Sequence, residues 1–226
     1  MTTRLILQTA VWLICMGVLL FGAAGTLAWP AAWWYLIETG ALSLWIGLWL
    51  ARYDPGLLAE RLAPIVQAQQ NRWDRVFMMS VALVWGAWLV LMGLDAVRFH
   101  WSPPMPVALR SLGSLCIVVC LLMCREVFRA NSYAAPVVKI QASRGHKVVD
   151  SGLYAHIRHP MYSAALFLFV GTPLLLGSWW GLACVPVMVL GIGWRAVREE
   201  RVLNDQLDGY TAYTARVRYR FVPRIW

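Results

Sequence analysis

The stretch RGHKVVDSGLYAHIRHPMY, residues 144–162, is the most polar passage of an otherwise apolar chain and stands directly before a hydrophobic run. It combines a glycine suited to a tight turn, ring hydroxyls, a fixed cation, a titratable imidazole and a proline that suits the first turn of a helix. These residues are Gly152, Tyr154, Arg158, His159, Pro160 and Tyr162. The pattern predicts a binding site at the start of a hydrophobic helix.

The composition outside this stretch is typical of an integral membrane protein. The chain is 60% hydrophobic and 14% charged, with 14 tryptophans, whereas soluble domains have about 45–50% apolar and about 25% charged residues. The net charge of +9 could suggest a nucleic-acid partner, but the cations fall between the apolar runs rather than on one water-facing patch. We therefore expect membrane lipids, and no nucleic acid, as partners.

Six apolar runs predict an all-α, polytopic protein with about six transmembrane helices. They cover residues 5–28, 33–51, 76–94, 107–128, 161–177 and 178–194. The first run is longer than the ~7–15-residue core of a signal peptide, so we interpret it as a span. The last two runs have about 17 residues each, near the lower limit for crossing a bilayer. The tight connector GSWW between them predicts a short antiparallel hairpin.

The polar segments divide the chain into two predicted regions. Residues 1–128 form an N-terminal membrane region of four spans, and residues 129–226 form a core with a polar region, the hairpin and an interfacial C-terminal segment. Within the first region, residues 52–74 predict a short surface helix and a linker without any motif. Residues 95–106 are rich in proline, which cannot donate a backbone hydrogen bond, and should be irregular.

The distribution of arginines predicts the orientation of the chain. With six spans, the two termini, the central polar region and the arginine-rich loop after the second span lie on one side. The opposite side holds only Arg98 and Arg110. By the positive-inside rule the arginine-rich side, with both termini and the predicted site, faces the cytoplasm.

Two weaker features have ordinary explanations. Glu38 lies inside the second run, which makes it a candidate functional group, but it is one turn from the interface and could reach water. His146, His156 and His159 are close in sequence, yet no acidic or cysteine ligand accompanies them at a metal-binding spacing, so we expect no metal.

A second polar cluster, WRAVREERVL at residues 194–203, ends the last apolar run, and the two clusters together resemble the isoprenylcysteine carboxyl methyltransferase family, in particular its bacterial members. The matching residues are Gly152, Tyr154, Arg158, His159, Pro160, Tyr162, Arg195, Glu199, Glu200, Leu203, Gly209, Tyr210 and Tyr213. The stretch GLDAVRFHWS, residues 93–102, is also similar to bacterial members. Leu153 departs from the pattern, which often has proline there. Phospholipid methyltransferases and membrane sterol reductases share patterns related to RHPxY.

The resemblance implies S-adenosylmethionine as cofactor and assigns roles to residues of both clusters. Catalytic roles fall to Arg195 and Glu199, with the arginine orienting an anionic acceptor. The implied cofactor-binding residues are His146, Gly152, Tyr154, Arg158, His159, Pro160, Tyr162 and Glu200. Because successive helical residues project about 100° apart, only one of the adjacent glutamates can face the cofactor. We expect Glu199 to pair with Arg195 and Glu200 to reach the cofactor.

These observations predict a methyltransferase that acts on a lipophilic acceptor at the cytoplasmic face of a bacterial inner membrane. A membrane reductase using NADPH and a non-catalytic transporter or channel are the alternatives. The acceptor could be a prenylcysteine carboxylate, a phospholipid amine or another small lipid. The residues that contact its chain would be ordinary apolar ones, so the sequence leaves this choice, and the oligomeric state, open.

Overall fold

The computed structural model describes residues 1–67 and 70–226, and within these ranges the chain folds into nine α-helices and no β-strand. The helices are α1 (Thr2–Ala24), α2 (Pro30–Tyr53), α3 (Pro55–Arg61), α4 (Arg72–Gly93), α5 (Val107–Ala130), α6 (Pro160–Leu176), α7 (Trp179–Ala183), α8 (Val185–Gln206) and α9 (Tyr210–Arg216). The predicted all-α class and the short helix α3 in the first polar loop are confirmed.

Five of the helical segments in the described ranges are long and apolar enough to cross a membrane. They are Thr2–Ala24, Pro30–Tyr53, Arg72–Arg98, Val107–Ala130 and Trp179–Gln206, and the shorter α6 is a further apolar helix. In a bilayer every buried backbone group needs an internal partner, which a helix supplies. The chain is thus a polytopic integral membrane protein.

The helices α5 and α6 pack closely because a glycine on each faces the other. A Cβ atom on Gly113 would lie 2.5 Å from the backbone nitrogen of Leu175 and 2.7 Å from the carbonyl oxygen of Gly171. A Cβ atom on Gly171 would in turn lie 2.7 Å from the carbonyl oxygen of Gly113. Small residues allow such backbone contact between membrane helices. This contact fixes α6, whose first residue is Pro160.

The prediction that the chain becomes irregular at residue 95 is wrong by one helical turn. After α4 the helix continues through a π-helical turn, Leu94–Arg98, because the Asp95 side chain has buried partners. Its Oδ2 atom accepts hydrogen bonds from the hydroxyls of Ser102 at 2.8 Å and Ser178 at 2.6 Å. Asp95 therefore joins the end of α4 to the connection between α6 and α7.

The hairpin turn lies where the sequence predicts, but its second arm differs from the prediction. Gly177 adopts a left-handed conformation, with φ 83°, and Ser178 caps α7. A break at Cys184 follows, and α8 then continues well beyond residue 194, to Gln206. The second polar cluster is therefore part of α8 itself and is carried by a membrane helix.

The short helix α3 supports the polar region that follows α5. The Asp54 carboxylate caps α3 by accepting a hydrogen bond from Leu57 N at 2.9 Å. The Lys139 ammonium lies 2.6 Å from a carboxylate oxygen of Glu60, and Arg61 donates to the carbonyl oxygen of Ala134 at 3.0 Å. The first loop thereby supports the outer side of the segment that becomes one wall of the site.

Candidate functional site

A cavity lies between the polar region after α5, the start of α6, the polar half of α8 and α9. Seven residues predicted from the sequence line it: His146, Tyr154, Arg158, His159, Tyr162, Arg195 and Glu199. Residues more than 50 positions apart thus meet at one end of the helix bundle.

Three other predicted residues lie next to the lining residues but do not line the cavity themselves. Gly152, with φ 59°, begins the 3₁₀ turn Gly152–Ala155 that carries Tyr154. Pro160 is the first residue of α6 and sets the point where that helix begins. Glu200 is buried among cations. The structure therefore gives these residues positions that shape the site without lining it.

Glu200 was predicted to reach the cofactor, and its surroundings favour a different role. Its Oε1 atom lies 3.1 Å from His159 Nε2 and 3.3 Å from Arg158 Nε. Its Oε2 atom accepts a hydrogen bond from Arg220 Nε at 2.9 Å. Both oxygens are therefore occupied by side chains of the protein, and loss of this carboxylate would leave buried cations without a counter-charge, which is strongly destabilising.

Glu199, one residue earlier, faces the cavity. Its Oε2 atom accepts a hydrogen bond from the Tyr162 hydroxyl at 2.7 Å and lies 4.0 Å from His159 Nδ1. Its side chain is 25% exposed, against 7% for that of Glu200. Because α8 turns about 100° per residue, the neighbouring carboxylates point to different surroundings, and Glu199 is the one available to a ligand.

The predicted pairing of Arg195 with Glu199 is wrong, because Arg195 is bound by a carboxylate from another helix. Arg195 Nε donates to Asp74 Oδ1 at 3.0 Å, and Nη2 donates to the carbonyl oxygen of Pro136 at 2.7 Å. Asp74 stands in the first turn of α4 and is fully buried. The buried guanidinium of Arg195 needs a counter-charge. Asp74 provides it, although the two residues are 121 positions apart in the sequence.

The C-terminal segment, predicted to lie along the membrane surface, forms the back of the site. The amides of Arg158 and His159 donate to the carbonyl oxygens of Tyr219 and Arg220, each at 2.9 Å. The ring of Phe221 meets the His159 ring edge-to-face at a centroid distance of 6.0 Å. Phe221 is buried. This segment therefore fixes both the backbone and the imidazole of His159.

Tyrosines form much of the polar surface of the cavity. The Tyr154 hydroxyl accepts a hydrogen bond from Asn131 Nδ2 at 2.9 Å. Burial raises the pKa of Tyr154, and the hydrogen bond from Asn131 opposes this only in part. Burial also raises the pKa of Tyr210, as do Glu200 and Glu199 nearby. Both phenols stay protonated at neutral pH and can donate hydrogen bonds.

His146 covers the cavity from the polar region after α5. Its ring stacks on that of Tyr133 with centroids 4.5 Å apart, and its Nδ1 accepts from the amide of Gln141 at 3.3 Å. Burial, and secondly the neighbouring Arg144 cation, lower the pKa of His146. The neutral ring is therefore favoured, which keeps this Nδ1 atom available as an acceptor.

The residues around the cavity fit a ligand that carries charges of both signs. Arg158 and the Glu199 carboxylate both line it, and so do several rings on which a flat group can stack. The Tyr210 hydroxyl is buried and has no hydrogen-bond partner within the part of the chain that the structure describes. Since buried hydroxyls are normally hydrogen-bonded, a polar ligand in the cavity would complete its bonding.

Asp74, Asn131 and Tyr133 were missed by the sequence analysis. Asp74 belongs to a loop in which no motif was found, and an acidic residue in the first turn of a helix has an ordinary explanation in the helix dipole. Asn131 and Tyr133 stand in the polar region without a motif of their own. A stronger clue was the excess of polar residues just after α5, which indicated a site without naming its members.

Comparison with known proteins agrees with this geometry. The sequence profile of the phospholipid methyltransferase family matches residues 109–208, which carry most of the cavity lining. A curated relative, the protein-S-isoprenylcysteine O-methyltransferase of Dictyostelium discoideum, is 22% identical over 176 residues, which are 76% of this chain and 66% of the relative. The chain is thus similar to membrane methyltransferases of the phospholipid and isoprenylcysteine types.

Proposed function

We propose that this protein transfers a methyl group from S-adenosylmethionine to a lipophilic acceptor at the cytoplasmic face of a bacterial inner membrane. One observation carries the proposal: the cavity holds charges of both signs and is lined by the ends of two apolar helical segments, α6 and α8, as well as by the polar region. A soluble cofactor can enter such a site from water and an apolar acceptor from the bilayer.

The cofactor supplies a methyl group bound to a sulfonium, and the protein has to align donor and acceptor and exclude water. Arg158 and His159 would hold the carboxylate of the cofactor. Glu199 would meet its cationic part, and the rings of Tyr154 and Tyr162 would stack against it. Arg195 would face the reacting group of an anionic acceptor. The orphan Tyr210 hydroxyl supports a ligand with acceptor atoms here.

We favour a carboxylate as the acceptor group, as in the substrate class named for the Dictyostelium relative. Arg195 lines the cavity, and the geometry of a guanidinium matches that of a carboxylate. A carboxylate also needs no base, because it loses no proton on methylation. A phospholipid amine is the second candidate, since the matched profile is that of phospholipid methyltransferases and the Glu199 carboxylate could attract an ammonium.

Ligand binding to the purified full-length protein tests the cofactor. We expect S-adenosylmethionine to bind in titration calorimetry and NADPH not to bind under the same conditions. Glu199→Gln should weaken the first interaction, because it removes a charge from the cavity. Binding of NADPH alone would contradict the proposal and favour the membrane reductase.

Transfer of a labelled methyl group tests the acceptor. N-acetyl-S-farnesylcysteine presents a carboxylate on a prenyl chain, and phosphatidylethanolamine presents an amine on a lipid. We expect label in the first compound and none in the second. If only phosphatidylethanolamine were labelled, the carboxylate would be excluded as the acceptor group, but the proposed methyltransferase activity would be supported.

A further inference from the structure

We propose that Asp74 is a positioning residue of the methyl-transfer site, which fixes both the Arg195 guanidinium and the cavity wall at residues 136–138. The inference rests on the proposed function, and it goes beyond the family match, which covers residues 109–208 only. It makes a residue in the first turn of α4 part of the site's machinery.

The two oxygens of Asp74 receive three donors from three parts of the chain. Oδ1 accepts from Arg195 Nε at 3.0 Å, and Oδ2 accepts from Gln70 Nε2 at 2.8 Å and from the amide of Val138 at 2.9 Å. Arg195 in turn donates to the carbonyl oxygen of Pro136 at 2.7 Å. Asp74, Arg195 and residues 136–138 therefore form a closed ring of hydrogen bonds.

This ring decides the orientation of a cavity-lining cation. Arg195 is flanked by the rings of Phe77 and Tyr162, with its guanidinium carbon 5.5 and 5.9 Å from their centroids. The hydrogen bond from Nε to Asp74, together with that from Nη2 to Pro136, fixes the plane of the guanidinium. A long side chain that is fixed in advance loses less entropy when a ligand binds. Asp74 thereby acts on the ligand through Arg195.

The same carboxylate fixes a wall that is otherwise loop. Residues 136–138 all line the cavity, yet they lie in a segment outside helices and strands. The Val138 amide is bound by the Asp74 side chain and the Pro136 carbonyl by Arg195. Removal of the negative charge would loosen this wall as well as the guanidinium.

Asp95 provides a matched control at the other end of the same helical segment, Arg72–Arg98. Like Asp74 it is fully buried and accepts several hydrogen bonds on its carboxylate. Its partners join the α6–α7 connection, and Asp95 does not line the cavity. A purely structural role for Asp74 predicts that neither replacement by asparagine changes kcat/KM much in the protein that folds.

Hydrogen exchange tests the wall without any ligand, and so separates this inference from the proposed function. In purified protein, Asp74→Asn should speed amide exchange in peptides that contain Val138 and leave those around residues 178–181 unchanged. Asp95→Asn should do the reverse. Unchanged exchange around Val138 in folded Asp74→Asn protein would overturn the inference, even if S-adenosylmethionine binding had already established the function.

A double-mutant cycle tests the action through Arg195, with kcat/KM for S-adenosylmethionine and N-acetyl-S-farnesylcysteine as the readout. Asp74→Asn should lower kcat/KM by about 10-fold or more in the wild-type background, the effect of losing one charged hydrogen bond. In the Arg195→Gln background, Asp74→Asn should lower kcat/KM by less than about 3-fold, since the effects of two substitutions in one hydrogen-bond network are not additive. Asp95→Asn should change kcat/KM by less than about 3-fold.

If Asp74→Asn lowered kcat/KM by the same factor in the wild-type and the Arg195→Gln backgrounds, a role through Arg195 would be refuted. Asp74→Asn leaves the buried Arg195 without its counter-charge, which can prevent folding. The double variant removes both charges, so the comparison of Arg195→Gln with the double variant then decides: a further drop of about 10-fold or more refutes the inference. Where activity is too low to measure, the hydrogen-exchange comparison decides.

Discussion

Adjacent residues of one helix have different surroundings in this site because a helix turns between them. Glu200 is enclosed by His159, Arg158 and Arg220, while Glu199 meets one tyrosine hydroxyl and the cavity. The sequence predicts that only one of the pair faces a ligand, but it cannot tell which one. The choice depends on the rotation of α8, and the buried ion pair between Arg195 on α8 and Asp74 on α4 contributes to fixing that rotation.

The two glutamates should therefore respond differently to conversion to glutamine. Glu199→Gln should weaken S-adenosylmethionine binding by about 10-fold or more with little change in thermal unfolding, since a charged hydrogen bond contributes about 1.5–3 kcal/mol. Glu200→Gln should lower the melting temperature, because it leaves buried cations without their counter-charge. Calorimetric titration and thermal unfolding on the same preparations measure both effects. Weaker binding for Glu200→Gln than for Glu199→Gln, at unchanged melting temperature, would restore the assignment made from the sequence.

His146 should make cofactor binding sensitive to acid. Burial and Arg144 lower the pKa of His146 in the folded protein. A form in which the segment around His146 has detached keeps the ordinary pKa of about 6.5 and takes up a proton first. The folded arrangement is therefore fully favoured above about pH 6.5 and loses stability as the pH falls below that value. Binding of S-adenosylmethionine should weaken several-fold between about pH 7.5 and about pH 5.5, and His146→Asn should remove most of this difference. An equal pH dependence in the variant would exclude His146 as its source.

At the scale of elements, the apolar runs predicted the helices because each must satisfy its backbone internally and face lipid. The boundaries were wrong where polar residues continue a helix. The polar half of α8 stays helical because it is packed: Arg195 and Glu200 are buried against partners from α4 and the C-terminal segment. Such partners lie far away in sequence, so Asp74 and Arg220 could not be assigned to the site from a local pattern, whereas the clusters around His159 and Glu199 could.

The contact between α5 and α6 should tolerate no added side chain. Gly113→Ala would place a methyl group 2.5 Å from the Leu175 amide nitrogen, and the backbone of α6 would have to move. We expect a loss of about 1–3 kcal/mol, as for overpacked cores, or failure to fold. Gly191→Ala in α8 is the control, because its methyl group would meet no atom within 4 Å. Similar melting temperatures for the two variants in detergent would show that the helices separate easily.

At the scale of the whole molecule, the position of the cavity fits the proposed use of a water-soluble cofactor together with a lipid acceptor. Met161 and Tyr162, from the first turn of α6, line it. On α8 the apolar half exposes Val187, Leu190 and Trp194 on the outer surface of the helix bundle. An acceptor dissolved in the bilayer could thus present its head group to the cavity while its chain stays among apolar side chains.

The length of the acceptor chain should therefore control its affinity. Each additional methylene group buried in an apolar groove contributes about 0.8 kcal/mol, or roughly a 4-fold decrease in KM. Methyl transfer to a series of S-alkylated N-acetylcysteines of increasing length measures this slope, with the head group held constant. A preference for the shortest, most water-soluble member would mean that the acceptor enters from the aqueous side.

The topology of the chain should place both termini and the cavity on one side of the membrane. We assume that six segments each cross the membrane once: α1, α2, α4, α5, α6 and the α7–α8 segment. The cavity side then holds the N-terminus of α1, the loop with α3, the start of α6 and the end of α8. The connections at residues 99–106 and 177–178 then lie opposite. The cavity side carries most of the arginines and the other side only Arg98 and Arg110, so the positive-inside rule predicts that the cavity side is cytoplasmic. Reporter fusions after Trp226 should be active in the cytoplasm, and a reporter inserted at residues 103–104 should be active outside. An external signal from the C-terminal fusion would mean that the hairpin of α6 with α7 and α8 does not cross the membrane twice, and would move the cavity relative to the cytoplasmic supply of cofactor.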